Sequence, residues 1–134
     1  MNDCVFCKII VGKIPATTVY EDEHTLAFLD INPVNPGHTL VVPKKHSENL
    51  YTTDADDLRY TIETAQKVAR ALKKIGADGV NIIMNNGPVA GQVVPHAHLH
   101  VIPRKDGDGF QHWHGTPYAE GEDRKIAEEI TAAF

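Results

Sequence analysis

Two periods of apolar residues divide this chain. Short runs rich in Val, Ile, Leu and Thr occupy Thr17–Glu21, Thr25–Asp30, His38–Pro43, Gly79–Asn85 and Ala97–Pro103, each bounded by Gly, Pro, Asn or Asp. They predict strands, and the turn Asp22-Glu23-His24 makes the first two a hairpin. Between residues 55 and 75 the period changes. Leu58, Ile62, Ala65, Ala69 and Leu72 recur at alternating steps of four and three, the apolar stripe of one long helix. Asp54 is placed to cap it, acidic residues fill its first turn, and Lys73, Lys74 and then Gly76 close it. Cys4–Ile10 is a short helical turn closed by Gly12 and Pro15, and Glu122–Phe134 a terminal helix with Ile126 and Ile130 facing inward. Asn32–Gly37 and Asn86–Gln92 are turn-rich loops, and Phe110–Gly115 is irregular. Several connections are too short for crossovers. The expected architecture is one α+β domain over residues 1–134, a largely antiparallel sheet with one long and one C-terminal helix.

Charge and composition remove some classes of partner. A net charge of −5 gives no electrostatic footprint for a nucleic-acid backbone, although it does not bar a small anion from a local cleft. No apolar run is long enough for a membrane span and no signal peptide opens the chain, so a cytoplasmic location is expected. The two cysteines form one Cys4-x-x-Cys7 pair, which in a reducing compartment points to a metal or to redox use.

The chemistry concentrates at Pro95-His96-Ala97-His98-Leu99-His100-Val101-Ile102-Pro103. On a strand the three histidines share one face, ~6.5–7 Å apart, while Ala97, Leu99 and Val101 face the core. Such a row can chelate a metal, or attack phosphorus while its neighbours stabilise charge. A neutral imidazole is available at pH 7 without special activation. Asp30, an acidic residue that ends an apolar strand just before a Pro/Gly loop, belongs at a cleft rim. The loop Gly87–Gln92 can aim successive N–H groups at an anion. Lys44, Lys45, Arg104 and Lys105, at strand ends, read as solvated surface charge.

His96-Ala97-His98-Leu99-His100-Val101-Ile102 resembles the signature of the histidine triad (HIT) family of nucleotide hydrolases and transferases. Cys4–Pro15, Tyr20–Asp30, His38–His46 and Asn85–Gln92 are similar to its Hint branch, in the bacterial, zinc-containing form. The likeness spans most of the chain and fades after about Phe110. It implies a HIT-like fold and a two-step hydrolysis. His98 would be nucleotidylated, His100 would contact the phosphate or leaving group, and His38 would stand on the catalytic face. It also implies an apolar purine pocket of Phe6, Ile9, Phe28 and Ile31, with Asp30 accepting from the ribose. Asn85, Gly91, Gln92 and the Val93 backbone would serve the phosphate. Val93 departs from the family, which often has serine there, so weaker phosphoramidate turnover or a different leaving group is expected. Cys4, Cys7, His46 and His96 would bind a structural Zn2+, and no catalytic metal is expected. The implied substrates are purine nucleoside phosphoramidates and acyl adenylates. The alternatives are a dinucleoside polyphosphate hydrolase of the fragile-histidine-triad type, a nucleotide-binding regulator with vestigial hydrolysis, and a metallohydrolase using the triplet as ligands. The resemblance further implies a homodimer, with the stretch around Trp113 reaching the partner's site.

Overall fold

The structure, a computed structural model, describes residues 3–134. Its elements are α1 (Val5–Ile10), β1 (Thr18–Glu21), β2 (Thr25–Leu29), β3 (Thr39–Pro43), α2 (Ala55–Lys74), β4 (Gly79–Ile83), a 3-10 turn (Pro88–Ala90), β5 (Leu99–Arg104) and α3 (Glu122–Ala132). The strands form one antiparallel sheet in the order β1-β2-β3-β5-β4. This is the α+β sheet the sequence predicts.

Strand alternation sorts the core into two layers. Leu26, Phe28, Leu40 and Val42 join Cys4 and Phe6 under α1, whereas Ala27, Val41 and Val101 pack beneath Ala65, Val68 and Leu72 of α2. His38 precedes β3 with the same parity as Leu40 and Val42. The histidine face is therefore the α1 face. Gly37 makes the sharp entry into β3 at φ +101, and a Cβ there would meet Leu72 Cδ2 at 3.0 Å. Any side chain would be strained as well as crowded.

Four local expectations are corrected. The buried stripe of α2 is Thr61, Thr64, Ala65, Val68 and Leu72, and Ile62 is 49% exposed. Polar pairing turns the helix: Thr64 and Thr25 hydroxyls bond at 2.7 Å within the core. Asp54 holds the capping position but makes no cap bond with its side chain, which pairs instead with Lys45. The third correction is that β5 starts at Leu99, so only His100 lies within a strand. Val41↔Leu99 and Ile83↔His100 are the last register pairs, Pro95 has no N–H to offer, and the Ala97 N–H turns away to Ser47 O at 2.8 Å. Finally, α3 buries nothing. Ile130 is exposed, Ile126 is only half-buried, and Trp113 is 92% exposed. Among the described residues, no helix is long and apolar enough to cross a membrane.

Candidate active site and metal centre

The histidine face is assembled from four pieces of chain. Phe6 of α1 lies edge-on to three rings, with centroids 5.4 Å from Phe28, 5.9 Å from His96 and 5.1 Å from His98. It is a buried wall behind the imidazoles and excludes water from their inner side. His98 and His100 rings are 5.0 Å apart, and His38 reaches His100 from the neighbouring β3 entry. The two-residue periodicity thus survives although the strand itself begins late.

Backbone groups assign the protons. A carbonyl can only accept, so the 2.7 Å contact between His98 Nδ1 and His96 O places the proton on Nδ1. Neutral His98 therefore keeps its lone pair on Nε2. Among the described residues no group bonds that atom, and no side-chain nitrogen or oxygen is both buried and unbonded, so Nε2 keeps access to solvent. His38 is assigned the other way. Its Nδ1 accepts the Val34 N–H at 3.1 Å, which leaves the proton on Nε2. That Nε2–H donates to His100 Nδ1 at 2.9 Å, so neutral His100 carries its own proton on Nε2. A chain of donors runs from Val34 through His38 to His100, whose ring neighbours that of His98.

Burial keeps this face neutral. It pushes the His98 imidazole below its ordinary value, against the hydrogen bond to His96 O and the Asp30 charge. His100 falls to about 4, through burial first and then the neighbouring His98 and His38. His38 is also lowered by burial, against Asp30, whose Oδ2 lies 3.6 Å from His38 Nε2. Asp30, His38 and His100 bring donor atoms within 4.8 Å of one another, as metal ligands would. The Val34 contact argues otherwise, because a protonated Nε2 has no lone pair for a cation. His38 and His100 form a hydrogen-bonded pair, with the Asp30 carboxylate beside it.

The second cluster has the opposite polarity. His96, fully buried, donates Nε2–H to Pro43 O at 2.8 Å, which turns the Nδ1 lone pair toward Cys4, Cys7 and His46. From His96 Nδ1 the distances are 3.4 Å to Cys4 Sγ, 3.6 Å to Cys7 Sγ and 3.1 Å to His46 Nδ1, and Cys7 Sγ stands 3.3 Å from His46 Nδ1. Tetrahedral coordination with bonds of about 2.0–2.3 Å requires ligands about 3.3–3.8 Å apart. The three distances to sulfur fall in that range and the imidazole pair lies slightly inside it, so the Cys2His2 set suits a zinc-sized ion. The α1 turn supplies both sulfurs, with the Cys7 N–H bonded to Cys4 Sγ at 3.4 Å.

The remaining predicted residues divide. Phe28 is buried behind Phe6, and Ile9 packs partly buried against the same cluster. Ile31 is 92% exposed and stands apart from that apolar wall. Asn85 lies under Gly91, its amide 3.5 Å from where a Cβ would stand. The Gln92 amide braces its own loop: Oε1 accepts from Gly87 N–H, and Nε2 donates to Glu48 O and Val94 O. Val93 lines a cavity of about 390 Å³ together with Cys4, His46 and Glu48, on the sulfur side of the molecule. Sequence reasoning missed Arg104, which is not mere surface charge. Its guanidinium grips Asp108 at 2.7 and 2.9 Å and also reaches Asn81 and Phe110 O. The only signal in the sequence was a carboxylate four residues after an arginine, beside glycines.

An antiparallel sheet that carries one buried imidazole to a sulfur pair and three more to an open face defines a small class of α+β proteins built on a histidine triad. Residues 11–107 match the HIT domain, and the chain belongs to that family. It is 61% identical over 106 residues to an uncharacterized HIT-like protein of Methanocaldococcus jannaschii, covering 79% of this chain and 82% of that one. Adenylylsulfatase HINT3 of Arabidopsis thaliana is 44% identical over 108 residues, which cover 80% of this chain and 55% of the plant protein. A Streptococcus mutans protein of known crystal structure superposes with a TM-score of 0.93 at 44% identity, covering 99% of this chain and 86% of that one. A zinc-bound histidine triad family protein of Mycobacterium smegmatis superposes at 0.80 with 39% identity, covering 99% of both.

Proposed function

We propose that the protein is a purine nucleoside phosphoramidase and nucleotide hydrolase that releases a nucleoside monophosphate through a nucleotidyl-His98 intermediate. The observation that carries this reading is the 2.7 Å bond from His98 Nδ1 to His96 O, which fixes the lone pair on the open side. His98 Nε2 attacks the α-phosphorus, and the bond from phosphorus to the leaving amine breaks. The His100 Nε2–H at the end of the donor chain hydrogen-bonds the leaving nitrogen and stabilises the charge that develops there, and the amine departs with a proton taken from solvent. Water then attacks the same phosphorus and gives up a proton to solvent. The phosphorus–Nε2 bond breaks, and the monophosphate leaves with neutral His98 restored. Asp30 accepts from a ribose hydroxyl, and Asn85, Gly91 and the Val93 N–H serve the phosphate.

Sulfate is a second candidate leaving group, supported by the similarity to the plant adenylylsulfatase. Dinucleoside polyphosphates remain the competing substrates. Cys4, Cys7, His46 and His96 would hold Zn2+, supported by their spacing and by the zinc-bound relative. The ion would supply a cross-link between α1 and the segment before β5. We further read the protein as a homodimer. Ile82 on the edge strand β4 and Ile62 on α2 are exposed, and the apolar residues Trp113, Tyr118 and Ile130 of the tail are uncovered. The deciding experiment quenches a reaction with an adenosine phosphoramidate, digests the protein and maps the adenylyl group by mass spectrometry. Adenylyl-His98 is expected, and a label on any other residue overturns the mechanism. Turnover of diadenosine polyphosphates exceeding that of the phosphoramidate would favour the competing substrates.

A further inference from the structure

The donor chain that ends at His100 begins at a backbone N–H in a loop, so something must hold that loop. Asn32–Gly37 is largely exposed and carries two prolines and a glycine. Its anchor is Asn35, half-buried, whose Nδ2 donates both to Pro103 O at 2.9 Å and to Asp108 Oδ2 at 3.1 Å. Asn35 O in turn accepts the His38 N–H at 3.0 Å. Asp108 is a hub. Besides Asn35 and the two Arg104 bonds, its carboxylate accepts the N–H groups of Lys105 and Phe110, both at 3.1 Å. Five donors from three segments converge on it. Such a set holds a loop more rigidly than any one bond, because displacing one partner strains the others.

We propose that Asn35 and Asp108 are positioning residues for the chemistry. They hold the 32–37 loop so that the Val34 N–H locks His38 as the Nε2–H tautomer, and His38 then forces His100 to present its own Nε2–H to the leaving group. Without the lock, His38 Nδ1 can carry the proton. Its Nε2 then accepts from His100 Nδ1–H, and His100 offers a bare Nε2 where a donor is needed. A relay in the wrong tautomer leaves the nucleophile intact and slows only the step in which the leaving group needs a hydrogen-bond donor. The effect therefore belongs to kcat and not to KM.

The kinetic part rests on the hydrolase reading, but the tautomer part does not. Nitrogen-15 NMR of histidine-labelled wild-type protein, with no substrate present, distinguishes protonated from bare ring nitrogens. Bare Nδ1 with protonated Nε2 on both His38 and His100 is expected. Protonated Nδ1 on His38 overturns the proposal whatever the protein hydrolyses. In Asn35→Ala the His38 signals should shift to a mixture of tautomers. The kcat for adenosine phosphoramidate should fall about 10- to 100-fold at nearly constant KM. Val34→Pro, which deletes the N–H, should reproduce both changes, while Val34→Ala, which keeps it, should change neither. A fall in kcat with the wild-type tautomers retained, or pure tautomers and full kcat in both Asn35→Ala and Val34→Pro, overturns it. If wild-type protein shows the expected tautomers and no hydrolysis, the proposed reaction fails while the lock stands.

Discussion

The two histidine clusters flank the same short stretch, and they use the same side chain in opposite ways. At His96, His46 and the cysteine pair, four candidate ligand atoms converge within 4.8 Å of one another, an arrangement suited to a cation. At His38 and His100, each lone pair receives a proton from the group before it, and the chain ends in a free donor. The difference is not in the imidazoles or in their burial. It lies in the backbone atom each ring meets. Pro43 O takes the Nε2–H of His96, His96 O takes the Nδ1–H of His98, and Val34 N–H occupies Nδ1 of His38. Three contacts with the main chain thus leave a different nitrogen free on each ring: Nδ1 of His96, Nε2 of His98 and, with its proton, Nε2 of His38.

The largest contrast comes from His98→Ala. It should lower phosphoramidate turnover by about 10³-fold or more, since His38 and His100 are both assigned a protonated Nε2 and neither offers a bare nitrogen in its place. Metal content and thermal melting should stay close to wild type, and parallel loss of zinc would erase the separation between clusters.

Cys4→Ala is the converse experiment. Zinc measured on the purified protein should fall from about one ion per chain toward none, with a melting point lower by about 10 °C. The fraction still folded should keep its kcat within about threefold if the metal is structural, as proposed. Activity that follows zinc content in folded protein would make the first cluster catalytic.

Phe6 joins the two regions, packing on both His96 and His98. Phe6→Ala should cost about 3–4 kcal/mol in urea unfolding, the usual penalty for removing a buried aromatic ring. It should perturb zinc retention and turnover together. A change in only one of them would show that the clusters are mechanically independent.

A smaller effect comes with acid. His100 titrates near 6.5 in the unfolded chain and at about 4 in the folded one, so between those values the unfolded state binds more protons. Its contribution is complete above pH 6.5 and is lost as pH falls toward 4, on the order of 2 kcal/mol. Urea midpoints of wild type should therefore decline from pH 7 to 5, and His100→Asn should flatten that decline. The decline should be examined in zinc-loaded protein, so that His96 does not contribute to it.

Much of the architecture was legible along the chain. Five apolar runs separated by turn residues give five antiparallel strands, and the parity of His38 with Leu40 and Val42 already predicts the face it shares with the triplet. The expected tetrad of Cys4, Cys7, His46 and His96 does come together, and so do His38 and His100. The stripe of α2 was misread because Thr61 and Thr64 count as polar, yet they are buried by pairing within the helix and across to Thr25. The start of β5 was misread because periodicity records which way side chains point, not whether a neighbouring strand is there to pair with. Gln92 looked like a phosphate donor from its place in a glycine loop, and only the fold shows its amide engaged by that loop.

The sequence by itself determined the inventory and its spacing: which residues can bind a metal or attack phosphorus, and on which face of a sheet they fall. Local covalent geometry is sufficient for that, since strand and helix periods are properties of the backbone. Which nitrogen of each ring carries the proton is not encoded in any such period. It depends on contacts from His96 to Pro43, 53 residues away in sequence, and on a loop pinned by Asp108, 73 residues from Asn35. A carbonyl accepts and an amide donates, so those contacts, made only when the chain is folded, decide what each histidine can do.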